Sequence, residues 1–129
     1  MDIRGQTVMV LGGWGLVGSA IAREMVSQGP ARVVLPSLEK WQVDDAVAQE
    51  RLEFPDAGVE FTGESGDIFA RTEFKDLPRE QVLGDPERRR RVMKDLLNDL
   101  DSTVLEASFL NLLLRTYRPQ VIVDCINSA

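Results

Sequence analysis

The chain has 129 residues, 43% of them hydrophobic and 28% charged, with a net charge of −6 and no histidine. That length suits a single domain with a core of its own, and the composition excludes a disordered or low-complexity chain. The acidic balance disfavours nucleic acid and anionic membrane as partners, and one cysteine without histidine excludes an intrachain disulfide, a zinc site and a Cys–His nucleophile.

Asp2 and Arg4 precede the first strand without the charged-then-apolar order of a signal peptide, and no apolar run reaches the length of a membrane span. A cytoplasmic chain is therefore expected. The first element is Thr7-Val-Met-Val-Leu11, a run of strand formers that meets Gly12-Gly13-Trp14-Gly15. Leu16, Val17, Ala20, Ile21, Ala22, Met25 and Val26 follow at three- and four-residue steps, up to Gly29-Pro30. The spacing predicts a strand, a tight turn and an amphipathic helix. Gly13-x-Gly15-x-x-Gly18 satisfies the dinucleotide fingerprint, and Gly12-x-x-Gly15-x-x-Gly18 its wider-spaced relative. In either reading the first glycine makes the turn, Gly15 lets a ligand approach the backbone, and Gly18 lets the helix pack on the strand. The unpaired N–H groups of the helix and its dipole then face whatever lies over the loop, where a pyrophosphate fits. The competing reading is a tight turn without a ligand, which does not require glycine at all three positions. Trp14, inside the loop, either covers the phosphates of a cofactor or packs on another part of the protein.

Arg32-Val-Val-Leu35 reads as a second strand, covered on both faces. Val43, Ala46, Val47 and Leu52 predict a helix between Lys40 and Phe54, broken at Pro55-Asp56, and Gly58 to Thr62 predicts a third strand leading through residues 63–66 to Asp67-Ile68-Phe69. Residues 70–86 read as irregular, with Pro78, Gly84 and Pro86 limiting any helix. From Glu87 to Tyr117 the pattern fits one long helix or two, and Asp101-Ser102-Thr103, able to cap a second, favours two with a break near Asp99 to Ser102. Arg88 to Arg91 are expected to form a solvated face with local ion pairs. Leu110 to Leu114 are expected in the core, their surplus apolar surface covered by another subunit or a further domain. Gln120 to Ile126, carrying Cys125, is the fourth strand. Right-handed crossovers make the strands parallel, and residues 1–129 are expected to form one α/β domain.

Taken together, these residues resemble the extended short-chain dehydrogenase/reductase family, which includes nucleotide-sugar epimerases and dehydratases. The resemblance lies in Val10 to Ser19, in Gly66-Asp67-Ile68 after the third strand, and in the fourth strand running into Asn127-Ser128-Ala129. It implies a Rossmann-like, doubly wound parallel sheet truncated at about four strands, binding NAD or NADP. Gly12, Gly13, Trp14, Gly15, Leu16, Val17 and Gly18 would form the phosphate loop. Asp67 would meet the adenine amino group, Ile68 the ring through its backbone amide, and Asn127 to Ala129 the ribose and nicotinamide. Where NAD-using members often carry an acidic residue after the second strand, this chain has Pro36. Ser37 and Lys40 offer contacts to a 2′-phosphate, and Glu39 offers one to the ribose hydroxyls, so NAD and NADP both stay open. The family's catalytic tyrosine and lysine lie four residues apart; Tyr117 is the only tyrosine here, and Val121 stands four residues on. The resemblance therefore implies the dinucleotide-binding part of an epimerase-, dehydratase- or reductase-type oxidoreductase without its catalytic segment, partnered by a second copy or a missing C-terminal domain. The alternative is a non-enzymatic nucleotide-sensing or dimerisation module on the same fold.

Overall fold

In the computed structural model, which describes residues 1–127, the chain divides into two compact units, Met1–Gly66 with the segment from Tyr117 onward, and Asp67–Thr116. The first unit holds β1 (Thr7–Leu11), α1 (Leu16–Ser27), β2 (Arg32–Val34), α2 (Lys40–Glu53), β3 (Glu60–Thr62) and β4 (Val121–Asp124). All strand pairs are parallel, in the order β3-β2-β1-β4, with Val8 beside Val33 and Val121. The fold is α/β and Rossmann-like. Strands β1 and β2 are continuous apolar runs because both of their faces are covered. Val8, Val10, Val33, Leu35 and Phe61 form the core with Ala22 and Val26 of α1 and Ala46 of α2, while Met9 and Val34, which alternate with them along the strands, are also fully buried.

Strand order reverses direction at β1, with β2 and β3 to one side and β4 to the other. In open α/β sheets the crevice at such a reversal, outside the carboxyl ends of the strands, is where ligands bind. Here the glycine loop leaves the end of β1 at that reversal.

The second unit holds a 3₁₀ turn (Thr72–Phe74), α3 (Arg79–Gly84), α4 (Pro86–Leu97), α5 (Ser102–Ala107) and the helix α6 (Phe109–Tyr117), whose last residue belongs to the first unit. The expected break between Asp99 and Ser102 is present, with the Asp101 carboxylate accepting the Val104 N–H at 2.9 Å as the cap of α5. Two features were not expected. Helix α3 occupies a stretch read as irregular, because Pro78 stands at its N-cap, where the missing N–H costs nothing. A further break falls at Ser108, whose hydroxyl accepts the Asn111 N–H at 3.2 Å, while the Phe109 N–H donates to the Ala70 carbonyl at 3.1 Å. The arginine run pairs locally. Arg91 meets Glu73 and Glu87, and Arg88 and Arg89 reach the carbonyls of Gln81 and Leu83. No helix among the described residues is long and apolar enough to cross a membrane.

Candidate functional site

The glycine loop between β1 and α1 is built from backbone groups whose partners can be assigned one by one. Gly12 and Gly13 donate their N–H groups to the Pro36 carbonyl, at 2.9 and 3.3 Å, and the Trp14 N–H donates to the Ser37 hydroxyl oxygen at 3.2 Å. Gly15 donates to the Gly12 carbonyl at 3.0 Å and closes the turn. The next three N–H groups, of Leu16, Val17 and Gly18, form the open first turn of α1, and among the described residues no side chain caps them.

Glycine is needed here for reasons that differ along the loop. Gly12 has φ +76°, the left-handed region that side chains resist. A Cβ on Gly13 would lie 2.8 Å from the Leu35 side chain, and one on Gly18 would lie 2.1 Å from the Gly12 carbonyl oxygen. Gly15 is the exception. Its φ of −62° suits any residue, and an added Cβ would meet only the Gly12 oxygen, at 3.4 Å. Packing within the chain therefore explains the other glycines and leaves the bare backbone at Gly15 without an internal cause. Leu16 and Val17 beside it are exposed.

At the neighbouring corner, where β2 passes into α2, Ser37 is buried, with its N–H donating to the Glu64 carbonyl and its own carbonyl accepting the Gly66 N–H. Its hydroxyl braces the glycine loop. Glu39 caps α2 in a reciprocal arrangement with Gln42, and the Lys40 ammonium donates to both oxygens of Asp44 at 2.9 Å. The Trp14 indole turns onto α2, where Nε1 donates to the Asp45 carboxylate at 2.9 Å and the ring meets Trp41 edge-on at 4.7 Å between centroids. Trp14 thus packs on a neighbouring element, α2. Trp41 and Asp45 were not singled out from the sequence. Their four-residue spacing, which sets both on one helix face, was the available signal.

At the β4 end, the Cys125 N–H donates to the Leu11 carbonyl at 3.0 Å, one residue beyond the strand, and its thiol pKa is raised by burial and by the Asp124 carboxylate. Asn127 is exposed beyond β4, and Ser128 and Ala129 lie outside the described residues. The Tyr117 hydroxyl donates to Glu64 at 2.7 Å, and burial and then that hydrogen bond raise its pKa, which holds the phenol neutral. In the second unit, Asp67 accepts the Phe69 N–H on its carboxylate at 2.9 Å and donates its own N–H to the Lys75 carbonyl, and Ile68 is buried. No group of three or more Cys, Asp or Glu side chains among the described residues is placed to hold a metal.

No family model matches the chain, and no curated protein matches it. Solved structures do. A short-chain type dehydrogenase/reductase from Mycobacterium ulcerans is 25% identical over 54% of this chain and 24% of its own, with a TM-score of 0.46. L-sorbose reductase from Gluconobacter frateurii, complexed with NADPH and L-sorbose, is 19% identical over 78% of this chain and 33% of its own, with a TM-score of 0.46. A short-chain dehydrogenase from Sphingobium yanoikuyae, in complex with NADPH, is 17% identical over 92% of this chain and 52% of its own, with a TM-score of 0.47. The chain thus spans from about a quarter to about half of the length of these structures.

Proposed function

We propose that this chain binds a nicotinamide dinucleotide at the loop between β1 and α1, as the NAD(P)-binding part of an epimerase-, dehydratase- or reductase-type oxidoreductase. The observation that carries the reading is the division of N–H groups in the loop. Gly12, Gly13, Trp14 and Gly15 spend theirs on internal acceptors, whereas Leu16, Val17 and Gly18 present theirs, uncapped, at the positive end of a twelve-residue helix. Gly15 leaves the approach to them open. A pyrophosphate matches that donor set in charge and in reach. When bound, the dinucleotide supplies hydride transfer at its nicotinamide ring. The residues of this chain hold its phosphates and do not supply the acid or base. Tyr117 is committed to Glu64, no lysine follows it at four residues, and the Cys125 thiol is held protonated.

Calorimetric titration of the purified chain with NAD⁺, NADH, NADP⁺ and NADPH tests the reading, beside a Gly15→Trp variant. Saturable binding is expected, lost in the variant while its unfolding midpoint is kept. Steady NAD(P)H formation is not expected with alcohols or nucleotide sugars. Binding that survives Gly15→Trp undiminished would move the site away from this loop.

A second reading, association of the chain with itself, is favoured by one feature of α4. Met93, Leu96 and Leu97, with Leu100 just beyond, are exposed together.

A further inference from the structure

The adenosine ribose of a dinucleotide held at a glycine loop comes to the end of the second strand, where an acidic residue accepts the 2′-hydroxyl of NAD or a cation accepts the 2′-phosphate of NADP. This chain has neither at the strand end, where Pro36 and the buried Ser37 stand. What it has is a network tying that corner to α2. The Trp14 N–H is on the Ser37 hydroxyl at 3.2 Å, the Trp14 indole is on Asp45 at 2.9 Å, and Asp45 also accepts from Gln49 at 2.7 Å. The carboxylate of Asp45 is thus fixed one indole away from the glycine loop. The cations nearby are spoken for. Lys40 is clasped by Asp44, and Arg51 donates to the Phe61 carbonyl at 2.9 Å. Glu39, Asp44 and Asp45 outnumber Lys40 and Arg51 and leave the corner acidic. An additional phosphate dianion would meet like charge with no unpaired donor cation to offset it, and discrimination between two ligands is built as readily from such repulsion as from new contacts.

We propose that the site selects NAD(H) against NADP(H), and that Asp45, held by Trp14, is the specificity-determining residue. This rests on the dinucleotide reading given above. The two tryptophans of the chain, Trp14 and Trp41, both stand at this corner, so the protein's own emission reports on it directly. Tryptophan emission is followed while the full chain is titrated with NAD⁺ and with NADP⁺. NAD⁺ is expected to saturate at a concentration at least about tenfold lower. Asp45→Lys is expected to close that gap or reverse it by gaining NADP⁺ affinity. Asp44→Asn, which frees the Lys40 ammonium, is expected to shift the ratio the same way to a smaller extent. NADP⁺ binding as tightly as NAD⁺ to the unsubstituted chain, or an unchanged ratio in both variants, overturns the proposal and leaves the dinucleotide reading standing. Saturation by neither nucleotide overturns both.

Discussion

Gly15 and Gly18 look interchangeable in a glycine pattern, yet the structure gives them opposite tasks. At Gly18 a methyl group would sit 2.1 Å from the Gly12 carbonyl oxygen, so the loop or the helix has to move. Gly18→Ala is expected to lower unfolding free energy by about 1–3 kcal/mol, the range for forcing atoms into a packed site. At Gly15 the backbone is in an ordinary region and the nearest atom is 3.4 Å away. Gly15→Ala is expected to leave stability unchanged or raise it by about 0.4–1 kcal/mol, through the lost freedom of the unfolded chain. Urea denaturation of the two variants checks the contrast, and equal losses in both would show that Gly15 too is a packing residue. The sequence motif located these residues but not the division of labour, which depends on where the Gly12 oxygen and the Leu35 side chain fall.

Elements were legible where one physical cause acted alone. Strands β1 and β2 and the strand of Val121–Asp124 stood out as apolar runs, and α1 as a periodic stripe between a glycine loop and Gly29-Pro30. The rest was hidden by residues with two uses. Pro78 reads as a breaker and serves as the start of α3; Ser108 sits inside an unbroken apolar periodicity and caps the next helix with its hydroxyl. Trp14 reads as part of the loop and is held by Asp45 and Trp41, thirty-one and twenty-seven positions away in the chain. Helix α4 raises a different question, because none of its residues is buried and its apolar side chains stay in contact with water. A stable interface buries about 800 Å² on each partner, more than Met93, Leu96, Leu97 and Leu100 supply by themselves. Self-association is therefore expected to be reversible and dependent on concentration, with dissociation constants in roughly the micromolar range. Sedimentation velocity of the chain and of a Leu96→Glu, Leu97→Glu double variant checks this. The unsubstituted chain is expected to gain mass with concentration and the variant to remain monomeric, whereas a monomer in both would remove the association reading.

The charge of the whole molecule is shaped by carboxylates shifted in opposite directions. The backbone N–H of Arg88 is the main cause that lowers the Asp85 pKa, and the Arg4 side chain is the main cause for Asp2. Each contributes stability that is present above the ordinary carboxylate range and is lost as pH falls through its lowered value. Glu50 on α2 behaves the other way. It is 3% exposed, and its Oε2 has no hydrogen-bond partner among the described residues. Burial raises its pKa, with Glu53 adding to the shift and Arg23 opposing it. Between the ordinary glutamate value and the raised one, the folded chain binds more protons than the unfolded chain, so stability falls as pH rises through that window. On acidification from neutrality, the protein is expected first to gain stability as Glu50 takes up a proton, and then to lose it as Asp85 and Asp2 do. Glu50→Met removes the buried unpaired oxygen at similar volume. The variant is expected to be more stable than the parent near neutral pH by about 1–3 kcal/mol, the cost of an unsatisfied buried polar group, and to lack the initial gain on acidification. Urea midpoints of both chains from about pH 8 to about pH 2 bracket the ordinary carboxylate range and the windows on either side of it. A parent whose stability declines from the first step of acidification, in parallel with the variant, would mean that the Glu50 carboxylate is solvated in the folded state and places no strain on the packing of α2.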